Sequence, residues 1–103
     1  MNQDLKVENI DLIVKVLERP SIFSVQKVED FFLFFNGYKI ARNDSVVSDF
    51  LDDFQTYIQN AHENESLKDY SSEKIIRICS ANDLHSLQLL KSWINDFINS
   101  NKL

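Results

Sequence analysis

A chain of 103 residues that is 44% apolar and 26% charged folds as one globular domain with a modest core and is not a disordered segment. One Gly and one Pro argue against an all-β domain of this size, which needs several tight turns. The net charge of −5 argues against direct nucleic-acid binding, which needs a basic stripe to neutralise phosphates.

No apolar run reaches transmembrane length, and no charged-then-apolar segment follows Met1. The lone Cys79 cannot form an internal disulfide, which suits a reducing compartment. The expectation is a soluble cytoplasmic protein that is not bound to membrane.

The first periodic unit runs over about 5–18. Ile10, Ile13, Val14 and Leu17 recur at helical spacing, Leu12 and Val16 widen the stripe, and Asp4 is a candidate N-cap. Pro20 ends the unit, because the residue before a proline is pushed out of helical geometry. Ser21 to Ser24 reads as a connector, with Ser24 as the next N-cap.

The stretch Arg19 to Arg42 holds six of the twelve aromatics and both the Pro and the Gly. Asn36-Gly37 is a strong hairpin signal. Yet Val28, Phe31, Phe32, Phe35, Tyr38 and Ala41 recur at helical spacing, and an isolated hairpin among helices would lack a third strand. The reading is a helix over 25–43, with Gly37 and Ala41 forming a seam where another helix approaches closely. Phe31, Phe32, Phe34 and Phe35 cannot all face one way; Phe34 is expected to pack under the first helix or under the loop at 62–70.

Val46, Val47, Phe50, Leu51, Phe54, Tyr57, Ile58 and Ala61 mark the clearest amphipathic helix, over 46–62, with Asp49, Asp52, Asp53, Thr56, Gln59 and Asn60 opposite. His62 to Tyr70 is polar and reads as a loop. Ser71 or Ser72 caps a short helix over 72–79. A last helix over 81–99 opens with Ser80 and Asp83 in a capping-box arrangement, and its expected core stripe is Leu84, Leu87, Leu90, Ile94, Phe97 and Ile98. The whole is an all-α single domain over 1–103, with four long helices and one short one.

Chemistry is sparse. A single Gly leaves no phosphate-cradling loop. His62, His85 and Cys79 show no ligand-pair spacing, and Cys79 within Ile75-Ile76-Arg77-Ile78 reads as a small buried hydrophobe. Asp49, Asp52 and Asp53 share a helix face that reads as solvated charge and not as a cation site. No catalytic residue, metal site or cofactor is assigned.

Charge is segregated. Residues 44–73 carry Asp44, Asp49, Asp52, Asp53, Glu63, Glu65, Asp69 and Glu73 against Lys68 alone, whereas residues 1–43 balance six acids with six bases. Such a field attracts basic partners and speeds their association.

The order of short motifs resembles a known family. An N-terminal helix ends in Arg19-Pro20 with Phe23 close behind. Phe34, Gly37, Tyr38 and Ala41 follow, then Phe50-Leu51 with Phe54-Gln55, then Ile75 to Ile78 before a Leu-rich helix. Over about residues 10–98 the chain resembles immunity proteins of bacterial contact-dependent growth inhibition systems, of the helical type paired with a ribonuclease-A-like toxin domain. The resemblance implies a non-enzymatic inhibitor of a cognate toxin and brings no catalytic residue. Charge, not the resemblance, selects Asp49, Asp52, Asp53, Glu63, Glu65, Asp69 and Tyr70 as the partner-binding set, for a basic nuclease domain bound one-to-one by a protein that is monomeric when free. The alternative is a helical adaptor or regulatory subunit docking through its aromatic helix.

Overall fold

The computed structural model describes residues 2–43, 45–62, 67 and 69–100, with side chains from Ile10 onward. Five α-helices are present and no strand occurs among the described residues: α1 (Asn2–Glu18), α2 (Val28–Arg42), α3 (Ser45–Ala61), α4 (Ser72–Cys79) and α5 (Asp83–Ser100). The all-α bundle expected from the sequence is the observed fold. No described helix is long and apolar enough to cross a membrane.

α1 begins before Asp4, which lies inside the helix and is not its cap. The helix stops at Glu18, and Pro20 opens a 3₁₀ turn, Pro20–Phe23. Proline suits that first position because its fixed φ is already helical and its missing N–H has no partner to lose. Ser24 closes the turn in the left-handed region at φ 60°, so it does not cap α2, which starts later than expected at Val28. The α2 N-terminus is satisfied from two directions instead. Asp30 reaches back to accept the Gln26 N–H at 3.0 Å, and Ser86 of α5 accepts the Val28 N–H at 3.1 Å.

Asn36-Gly37 lies inside α2. The chain reverses at Asn43, whose φ of 50° is left-handed and whose N–H returns to the Lys39 carbonyl. Asn tolerates this conformation better than most L-residues. Ser71 caps α4, accepting from the Lys74 N–H. Ser80 ends α4 and is not the cap of α5. That role falls to Asn82, which accepts the His85 N–H at 2.9 Å, while His85 Nδ1 accepts from the Ala81 N–H at 2.8 Å.

The core draws on every helix. Ile13 and Val16 come from α1, Phe31 and Phe35 from α2, Phe54 and Ile58 from α3, Ile75 and Ile76 from α4, and Leu90 and Ile94 from α5. α4 is short but central, packing on α2, α3 and α5, while α1 lies on α3 and the 3₁₀ turn. Burying each large apolar side chain contributes about 1.5–3 kcal/mol.

Two packing expectations are corrected. Gly37 and Ala41 are both exposed, and a Cβ added at Gly37 would meet nothing within 4 Å, so no described helix approaches there. The close aromatic seam lies elsewhere: the Phe97 ring of α5 sits 5.2–5.7 Å from those of Tyr57, Phe50 and Phe54 on α3. Phe34 packs against the core and stands edge-on to Phe23 of the 3₁₀ turn at 5.6 Å; most of the 62–70 loop, one of the two places expected to cover it, lies outside the described residues. Cys79 is exposed, not buried: it shares the helix face of Ser72, Ile75 and Ile76 but is the last residue of α4, at the end of the stretch that those residues bury.

Candidate partner-binding face

α3 is built to separate two environments. Val47, Leu51, Phe54 and Ile58 follow each other at three- and four-residue steps and are buried. Those steps put them on one side of a 3.6-residue helix. Asp49, Asp52 and Asp53 therefore project from the other side, and all three are exposed. Asp49 is three residues from Asp52 and four from Asp53, so the three carboxylates are neighbours on the helix surface. None pairs with a cation among the described residues. Three like charges this close repel one another in the free protein, and an incoming cation relieves that repulsion.

The rest of the expected set is brought together in part. Asp69 and Tyr70 are exposed. The Tyr70 carbonyl accepts from the Gln59 side chain at 3.0 Å, and its N–H donates to the Leu67 carbonyl. This ties the end of the loop to the last turns of α3. Gln59 follows Asp52 by seven residues on the same ridge, about 10 Å along the axis. Glu63 and Glu65 lie outside the described residues, as does Asp44.

Glu73 belongs to the acidic third by sequence but not to this face. It is half-buried, and burial first, then the neighbouring Glu29 charge, push its carboxyl up from the ordinary value. Its surroundings are those of a second charge cluster, where α2, α4 and α5 meet. There Arg77 donates from Nε and Nη2 to the two carboxylate oxygens of Glu29 at 2.9 and 2.7 Å, and from Nη2 to Asp83 at 3.0 Å. The bidentate hydrogen bond from Arg77 holds the Glu29 carboxyl down at about 2.

Compared with family models, curated proteins and solved structures, the chain matches none.

A shallow groove adjoins the acidic face where α2 meets α3. It is lined by Asn36, Lys39, Ile40, Asn43, Ser48 and Asp49, among others. The groove is open and mixed in charge. Beside it α2 exposes Leu33 at 71% and Ile40 at 83%. These aliphatics, not the phenylalanines, are the outward apolar residues of α2; Phe31 and Phe35 are fully buried, and Phe32 and Phe34 pack against the core.

A second concavity, which no spacing in the sequence marks, lies between the C-terminal end of α3 and α5. Tyr57, His62, Trp93 and Asp96 line it. Trp93 and Asp96 are three apart and so share a helix face, but their meeting with Tyr57 and His62 depends on how α3 and α5 pack, which spacing within one helix does not encode. Among the described residues no group of three His, Cys, Asp or Glu converges as a metal site requires. His62 Nδ1 and His85 Nδ1 are both engaged with backbone groups of their own segments.

Proposed function

We propose that this protein is a non-enzymatic inhibitor that binds a basic protein, a secreted nuclease domain, through the outer face of α3. The observation that carries the reading is the trio Asp49, Asp52 and Asp53, unpaired among the described residues and held on one face of a regular helix whose other face is anchored in the core. A rigid row of carboxylates spaced along a helix is a stand-in for the phosphates such a nuclease recognises. Its charge-assisted hydrogen bonds to Lys or Arg are among the stronger polar contacts. Asp69 and Tyr70 extend the face at its C-terminal end, with Tyr70 as a partly exposed aromatic anchor of the kind enriched at interface centres. The resemblance to contact-dependent growth inhibition immunity proteins points the same way, toward one-to-one binding of a toxin domain in the cytoplasm of the cell that makes it.

The test is to replace Asp49, Asp52 and Asp53 together by Lys and measure protection against a nuclease domain encoded beside this protein. Protection is expected to be lost while the helical circular dichroism spectrum is unchanged. Full protection by a folded triple variant would overturn the assignment of this face. Affinity for the partner is expected to weaken as salt rises.

A second reading, a helical adaptor, is favoured by the exposure of Leu33 and Ile40 on α2. It would dock through these aliphatics and not through the phenylalanines. It forecasts that Leu33→Asp with Ile40→Asp abolishes partner binding and that binding of the wild type is nearly insensitive to salt.

A further inference from the structure

The concavity between α3 and α5 differs chemically from the rest of the surface. It encloses about 270 Å³ and is lined by Tyr57, Ile58, Ala61, His62, Trp93 and Asp96. Tyr57, His62 and Trp93 are half-buried, so their rings are partly fixed by the core while part of each remains open to the cleft. The His62 and Trp93 rings lie 5.3 Å apart, and the Tyr57 ring is braced 5.2 Å from Phe97. Asp96 is exposed and pairs with no cation, and neither Lys nor Arg lines the cleft, among the described residues.

We propose that this cleft receives a single arginine side chain from a protein partner. The occupant follows from what the walls offer. Aromatic faces attract a cation lodged against them, Trp most strongly. A planar guanidinium stacks on such faces and can present two N–H groups to one carboxylate. Asp96 supplies that carboxylate. His62 supplies a second acceptor: its Nδ1 lies 2.9 Å from the Ile58 carbonyl oxygen, which can only accept, so in the neutral ring Nδ1 carries the proton and Nε2 is left as an acceptor. A guanidinium has five donors and no acceptor, and every polar group here complements it. An anionic ligand would meet Asp96, and a purely apolar one would bury that carboxylate without a partner.

The placement supports the same occupant. Asp53 precedes Tyr57 by four residues and lies beside it on α3, so the acidic face runs up to the rim of the cleft. A basic partner steered to the Asp49–Asp53 row would carry its side chains past this opening. The cleft takes an arginine from any partner that offers one, so the proposal does not require that the partner be a nuclease.

The experiment uses the whole chain and N-acetyl-arginine amide as the probe, at constant ionic strength. Trp93 is the only tryptophan, so its fluorescence reports on this cleft alone. A saturable change in the millimolar range is expected, with nitrogen-15 NMR shifts concentrated at the Trp93 indole and at His62 and Asp96. The neutral citrulline counterpart is expected to give no saturable change. Asp96→Asn, an exposed position whose substitution leaves the fold intact, should weaken the probe by about tenfold. Tyr57→Leu should weaken it too, with Trp93 still reporting. The proposal is overturned if citrulline and arginine derivatives respond alike, if Asp96→Asn binds as the wild type does, or if the shifts map to Asp49 and Asp52 instead. The probe is one amino-acid derivative and not the partner. The result is therefore independent of whether reversing the α3 aspartates abolishes protection.

Discussion

The outer face of α3 and the junction of α2, α4 and α5 hold the same kind of side chain and use it in opposite ways. At the junction Glu29 and Asp83 converge on Arg77. Glu29 and Asp83 sit in the first turns of α2 and α5, and Arg77 sits in the last turn of α4. Each charge thus also suits the helix dipole at its position. On α3, Asp49, Asp52 and Asp53 form no ion pair among the described residues and stand away from the helix ends. Carboxylates that the fold has already matched are poor recognition elements, since a partner would have to displace Arg77. Unmatched carboxylates on a rigid helix are available from the start. Charge count alone does not separate the two groups; their partners do.

The sharpest way to break the comparison is at Ser86. This buried hydroxyl accepts the Val28 N–H and donates to the Asp83 carbonyl at 2.6 Å, so it fastens α5 to the start of α2. Ser86→Ala leaves a buried N–H unsatisfied, which costs about 1–3 kcal/mol. In a domain of this size the melting temperature falls by about 4–8 °C for each kcal/mol. Reversal of the α3 aspartates should by contrast stay within about 0.5 kcal/mol of the wild type, as surface substitutions generally do. Thermal denaturation of the two variants side by side measures the difference.

Ser86 also shows where the sequence was silent. The fold class and the α3 face were legible because Val47, Leu51, Phe54 and Ile58 alternate cleanly with polar residues. In α5 apolar spacing favoured a stripe containing Leu84, yet Leu84 is 65% exposed and Ser86 is fully buried. A serine held inside by two hydrogen bonds leaves no apolar signal. α2 was harder still. Val28, Phe31, Phe32, Phe35 and Tyr38 recur at helical spacing and do face the core, but Ala41 of the same series is exposed, and the unbroken apolar run from Phe31 to Phe35 conceals that Leu33 is its outward residue. The α3–α5 cleft depends on contacts between elements far apart in the chain.

The outer face of α2, where Leu33, Gly37 and Ile40 are exposed, serves as a third surface against which to set the other two. Gly37 is helical, exposed and open around its missing Cβ. Gly37→Ala should therefore stabilise the protein by up to about 1 kcal/mol, the difference in helix propensity. A seam of close helix contact at this position would give the opposite sign. Chemical denaturation with unchanged slope is the measurement, and a loss of stability would mean that something packs on this face.

Acid separates the two carboxylate groups by a titration. Arg77 holds Glu29 down at about 2 against an ordinary value of 4.5. A depressed carboxyl contributes stability that is full above its unfolded value and is lost as pH falls through its folded value. The stabilisation from this pair should therefore decline between about pH 4.5 and 2. Glu29→Gln should lower the melting temperature at neutral pH and flatten that acid limb. The pair is partly exposed, so the effect is smaller than that of Ser86→Ala.

Glu73 is the smallest test, because it opposes Glu29 in sign. Its carboxyl is raised, by burial first and by the Glu29 charge second, so the folded state disfavours the ionised form. That penalty is absent below the ordinary carboxyl value and grows as pH rises through the raised one. Glu73→Gln should accordingly raise the melting temperature slightly at neutral pH and leave it unchanged in acid. A double-mutant cycle with Glu29→Gln then divides the two causes. Because burial outweighs the neighbouring charge, most of the gain should survive when Glu29 is neutralised. Complete disappearance of the gain would make Glu73 a casualty of repulsion alone. In that case the junction, like the α3 face, would hold carboxylates waiting for a cation.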